Sequence, residues 1–120
     1  ILFRTGSYLY SVNYEGQLNW KFFLRDAAGS NIIIDSEGVI YNMTWGDANN
    51  EAILYSISCL GKVNWELSIG LGYRCRGNSM AISGDGSLFI MVNNGDGPNS
   101  ISKILKILAN SLTKAILMSH

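Results

Sequence analysis

A chain of 120 residues, 48% of them hydrophobic and 15% charged, holds enough apolar material for one core and is too apolar for intrinsic disorder. Nine basic and nine acidic side chains cancel, which removes any general electrostatic attraction to nucleic acid or to an anionic membrane and leaves little charge to keep copies apart. No apolar run reaches the ~18 residues of a membrane span, and two cysteines with one histidine are too few for a Cys/His metal site.

In chain order, residues 1–5 are a short apolar run closed by the turn signal Gly6-Ser7. Residues 8–13 alternate, with Tyr8, Tyr10 and Val12 on one side and Leu9 and Ser11 on the other, which is the period of a strand. Asn13-Tyr14-Glu15-Gly16 predicts a tight hairpin turn with Gly16 at positive φ. Residues 17–24 return as a strand rich in aromatics, namely Trp20, Phe22 and Phe23. A polar loop at 25–30, a β-branched run at 31–35, the turn Ser36-Glu37-Gly38, a strand at 39–45 and a polar turn at 46–51 follow. Asn42-Met43-Thr44 has the form of a glycosylation sequon, but its place inside a predicted strand argues against use.

Then the chain repeats itself. LYSISCLGKVNWELSI (54–69) lies over LYSVNYEGQLNWKFFL (9–24) at a shift of 45, sharing the Leu-Tyr-Ser start, Gly16/Gly61, Asn19/Asn64 and Trp20/Trp65. MAISGDGSLFIM (80–91) resembles IIIDSEGVIYNM (32–43) at a shift of 48. Two segments recurring in the same order mark a repeat architecture, and a unit of four short strands in roughly 40–50 residues is the blade of a β-propeller. The expected class is all-β, with about two and a half to three blades of four antiparallel strands. Residues 1–24 are the last three strands of one blade, 25–69 a complete blade, and 70–120 a third, degenerate one.

Two readings compete at the C-terminal end. Ile101, Ile104, Leu105, Leu108, Leu112, Ala115 and Ile116 trace a helical stripe. Position in the repeat instead predicts strands, and register holds up to Ile107, although Trp65 then maps onto Ala115 and no Gly marks the turn. The repeat favours strands. In such units turns alternate between the two rims. Cys59 and Cys75 then fall on opposite rims, which predicts two thiols rather than a disulfide.

EGVIY at 37–41, LYSVN at 9–13 with Gly16 and Trp20, and LYSIS at 54–58 with Gly61 and Trp65 resemble the PQQ-like β-propeller repeat family. Its blades build quinoprotein alcohol dehydrogenases and an outer-membrane assembly lipoprotein scaffold. The resemblance covers about residues 1–95. It implies that Trp20 and Trp65 pack between neighbouring blades, and it favours a periplasmic or extracellular setting. Ser11 and Ser56 stand where the family has Ala, and Asn13 and Ser58 where it has Asp, which implies a weaker hydrogen-bonded lock between blades.

With the tryptophans assigned to packing, function falls to the loops. Tyr73, Arg74 and Arg76 around Cys75 form a basic, aromatic segment suited to an anion or an acidic partner. Asp47 and Asp96 are expected on the same rim, and the NGDG around Asp96 lacks the ligand spacing of a calcium loop. No GxSxG, HExxH or other nucleophile and base arrangement occurs. The sequence thus predicts a non-catalytic scaffold or protein-interaction module without a cofactor, part of a longer chain or self-associating, as the start at Ile1 also suggests. Its rivals are a piece of a quinoprotein oxidoreductase, which would need PQQ with calcium, and a sugar-binding propeller.

Overall fold

The computed structural model describes residues 1–24, 31–46, 49–70, 72–74, 80–94, 101–110 and 113–119. All regular structure among them is β-strand. Strands β1 (Leu2–Thr5), β2 (Tyr8–Val12) and β3 (Leu18–Phe23) form a first sheet. Strands β4 (Ile33–Ile34), β5 (Ile40–Met43), β6 (Ala52–Ile57) and β7 (Val63–Gly70) form a second. The third holds β8 (Tyr73–Arg74), β9 (Met80–Ile82), β10 (Leu88–Asn94), β11 (Ile101–Asn110) and β12 (Thr113–Ser119), with β8 and β9 both on the free edge of β10. Every pairing is antiparallel. Among the described residues the sheets close into neither a barrel nor a ring.

One turn design is used four times. At Asn13 the amide of the first residue donates to the carbonyl of Gln17, the Gly16 amide donates back to Asn13, and Asn13 Oδ1 accepts from the amides of Glu15 and Gln17. Ser58 does the same with its hydroxyl, and Asp35 with its carboxylate. In the turn from Ser83 to Ser87 the carboxylate of Asp85 takes the hydroxyl of Ser83 and the amide of Ser87. Those bonds, that of Ser83 first, lower the Asp85 pKa to about 2. The fourth position is Gly16, Gly38, Gly61 or Gly86, at φ 80, 83, 82 and 87°. A side chain at such a φ costs about 1–2 kcal/mol, so glycine is required by the geometry.

A bulge follows the turn in both copies of the 45-residue repeat. The register slips between Ser11 and Val12, and again between Ser56 and Ile57. The displaced residue is Asn19 or Asn64, and its amide reaches across to Ser11 Oγ at 3.2 Å or Ser56 Oγ at 3.3 Å. The recurring Ser and Asn are therefore partners within a sheet. The serine hydroxyl adds a bond that an alanine there would lack.

The second sheet is the middle layer. Alternation sends Ile40, Ile53, Tyr55 and Ile57 to one side, where they cluster with Leu9 and Leu24 of the first sheet region. It sends Tyr41, Met43, Ala52 and Leu54 to the other, where they meet Leu88, Ile90, Leu105 and Ile107 of the third. Strand β6 is buried along its whole length for this reason. Asn42 and Thr44 are both fully buried, which removes the sequon from use.

Residues 101–110 and 113–119 are strands, the reading that position in the repeat favours, and the helical alternative is corrected. The stripe at i, i+3 and i+4 coexists with a period of two, with Leu105 and Ile107 buried and Ile104 and Leu108 exposed. A seven-residue strand, β10, offers a complete hydrogen-bonding edge from Leu88 to Asn94, and long-range pairing decides between the two periods.

Candidate functional site

The segment singled out for binding is partly built into the sheet. Tyr73 and Arg74 are a two-residue strand opposite Asn94 and Asn93, where the sequence predicts a loop. Tyr73 packs against the core between the second and third sheets. Its hydroxyl accepts a hydrogen bond from Lys103 Nζ at 2.9 Å, and the same ammonium lies 5.3 Å from the ring centroid. The ammonium is thus held beyond the hydroxyl end of the ring. Arg74 is half-buried beside it. Arg76, Cys75, Asp47 and Asp96 lie outside the described residues. Among the described residues no three His, Cys, Asp or Glu side chains come together as a metal site, and Cys59 is an exposed free thiol.

Trp20 and Trp65 sit at the two junctions between sheets. Trp20, on β3, donates its indole Nε1 to the carbonyl of Cys59 in the second sheet at 2.9 Å. Its ring lies flat over Gly61, where a Cβ would fall 2.6 Å from Trp20 Cδ2. Two properties of the tight turn make this latch: a glycine without a side chain, and a carbonyl left outside the ladder. Phe22 adds an edge contact to Tyr55 at 5.6 Å.

Trp65, on β7, packs on Tyr41 at 6.1 Å and against the second core. Its Nε1 is buried and has no hydrogen-bond partner among the described residues. The reason lies in the third sheet. Strand β11 runs for ten residues and pairs with β12 as far as Asn110 and Thr113. At the height where the second sheet turns, the third continues as a strand with a register slip between Leu108 and Asn110, so the tight turn that receives Trp20 has no counterpart there. The hairpin is longer by three residues, so the backbone position equivalent to Trp65 opposite Ser56 is Met118 opposite Lys106. The ungapped sequence alignment places it at Ala115.

A polar string runs through all three sheets. Arg4 of β1 donates to Asn42 Oδ1 and to the Met43 carbonyl of β5. Asn42 donates to the Asn31 carbonyl at 3.1 Å. Asn31 holds Met80 of β9 by both backbone groups, at 3.1 and 3.2 Å. Tyr41 donates to Asp35 Oδ2 at 3.3 Å, and burial first, then the Asp35 charge, push its pKa up to about 12.

Both ends of the stack show apolar faces. On the first sheet Phe3 stacks on Tyr10 at 5.2 Å, Tyr8 meets Phe23 at 5.4 Å, and Lys21 lies over Tyr8. On the third, Met91, Ile104 and Leu108 are exposed beside Phe89, which carries Lys106. No helix of the described residues is long and apolar enough to cross a membrane. Comparison with protein-family models and with curated proteins gives no match for this chain.

Proposed function

We propose that the chain is a non-catalytic repeat scaffold of the PQQ-like β-propeller type, which binds protein through its end faces and rim loops. On this reading residues 1–24 are the last three strands of a blade, 25–69 a complete blade and 70–120 a degenerate third. The observation that carries it is the latch: an indole of one repeat is fastened over the turn glycine of the next. A fastening of this kind orders sheet against sheet and commits the most conspicuous aromatic residue to packing. The aromatic and cationic groups of Tyr73 and Lys103 are likewise engaged with each other.

The test is titration of the purified protein with PQQ and calcium, followed by absorbance and by reduction of an artificial electron acceptor. The scaffold reading expects no saturable spectral change and no alcohol-dependent reduction. Saturable PQQ uptake with turnover overturns it in favour of an oxidoreductase.

A further inference from the structure

Each side of the middle sheet defines what a neighbouring repeat supplies. Its face toward the first sheet carries Ile53, Tyr55 and Ile57, all buried. The counterparts of these residues at the 45-residue shift are Tyr8, Tyr10 and Val12, and they lie on the outer face of the first sheet. Phe3 stands opposite Tyr10 as the fully buried Asn42 stands opposite Tyr55. The outer face of the first sheet is thus a second copy of a surface that the chain elsewhere buries beneath a sheet.

The same holds at the other end. Tyr41, Met43 and Leu54 of the middle sheet are buried under the third sheet. Their register counterparts in the third sheet are Phe89, Met91 and Ile104, of which Met91 is 47% and Ile104 45% exposed. One chain therefore carries both halves of the contact it already makes twice internally. It cannot join them itself, because the first and third sheets lie on opposite sides of the second.

We propose, resting on the scaffold reading, that a second copy of this chain covers the first sheet, with its third sheet laid head-to-tail on the face of Phe3, Tyr8 and Tyr10. The contact is heterologous, so it extends into a ring or a filament. It also inherits a socket. Gly16 has open space where its Cβ would be, whereas Gly61 in the same turn is covered by Trp20. Tyr14, the counterpart of Cys59, is exposed. The copy's third sheet brings Met118 rather than an indole to the matching register position, so the socket is the improvable part of the contact.

The experiment is sedimentation velocity and light scattering on the full chain over a concentration series. Wild type is expected to associate. Phe3→Asp and Ile104→Asp, one on each face, are each expected to be monomeric and folded by circular dichroism. An equal mixture of the two variants is expected to form a dimer and nothing larger, because one intact pair of faces remains. Met118→Trp is expected to tighten wild-type association about tenfold, through ring burial and a hydrogen bond to the Tyr14 carbonyl. A wild type that stays monomeric at its highest soluble concentration overturns the proposal, as does a mixture without dimer or an Ile104→Asp protein that associates like wild type. Met118→Trp without tightening overturns the socket. Failure here without PQQ uptake leaves the scaffold reading standing, whereas PQQ turnover removes that reading whatever the state of assembly.

Discussion

The two junctions between sheets are built from similar segments and held by different means. The first, between the first and second sheets, has a small buried cluster around Leu9, Ile53 and Tyr55 and is closed at its rim by the Trp20 latch. The second has the larger cluster, with Leu54, Leu88, Ile90 and Ile107 fully buried, and its tryptophan has an unpartnered N–H. A directional bond substitutes for area where area is scarce. Where the neighbouring hairpin lengthens and the tight turn is absent at that height, apolar burial holds the junction without the bond. The repeat thus specifies a contact that either hydrophobic area or a latch can secure.

Leu9 and Leu54 occupy the same repeat position, one in each junction, and both are fully buried. Leu54→Ala is expected to cost about 3–5 kcal/mol, and Leu9→Ala about 2–3 kcal/mol because the cluster around it is smaller. Urea denaturation of the two variants checks the order, and equal losses would remove the asymmetry. Gly61→Ala puts a methyl into the Trp20 ring at a positive φ, whereas Gly16→Ala meets only the backbone strain. About 3 kcal/mol is expected for the first and about 1 kcal/mol for the second, from the same melts.

The junctions also differ in titration. Tyr41 of the second junction has Leu2 as its register counterpart in the first. An unfolded tyrosine loses its proton near pH ~10, and Tyr41 in the fold only at about 12. Between those values the native state binds more protons than the unfolded one. Its contribution is therefore complete below the lower pKa and lost as pH rises through the upper. Denaturation at a series of alkaline pH values should show that slope, and Tyr41→Phe should flatten it. The smallest effect separates the two indoles. Trp20→Phe loses the bond to Cys59, while Trp65→Phe removes a buried N–H that has no partner, so the first should cost about 1 kcal/mol more than the second. The reverse order would mean that the latch does not stabilise the first junction.

Much of the fold can be read from the residues because its signals are local. Gly16 and Gly61 announce turns by the φ they must adopt. The alternation of Tyr8, Tyr10 and Val12 with Leu9 and Ser11 announces a strand. The matching segments announce repetition. The pairing of Ser11 with Asn19 is less legible, since it depends on a bulge that displaces one residue across the ladder. The candidate site was legible only in part. Tyr73 and Arg74 look like an open loop in sequence, but the edge of β10 captures them as a strand and Lys103 binds the tyrosine hydroxyl.

By itself the sequence determined the all-β class and the turn chemistry, because each depends on neighbours within a few residues. Tertiary structure alone decided which faces are covered, and that among the described residues Trp20 has an acceptor and Trp65 none. Those outcomes depend on the height at which a distant hairpin turns and on which edges are free to pair. They are properties of contacts between repeats, and no single repeat encodes them.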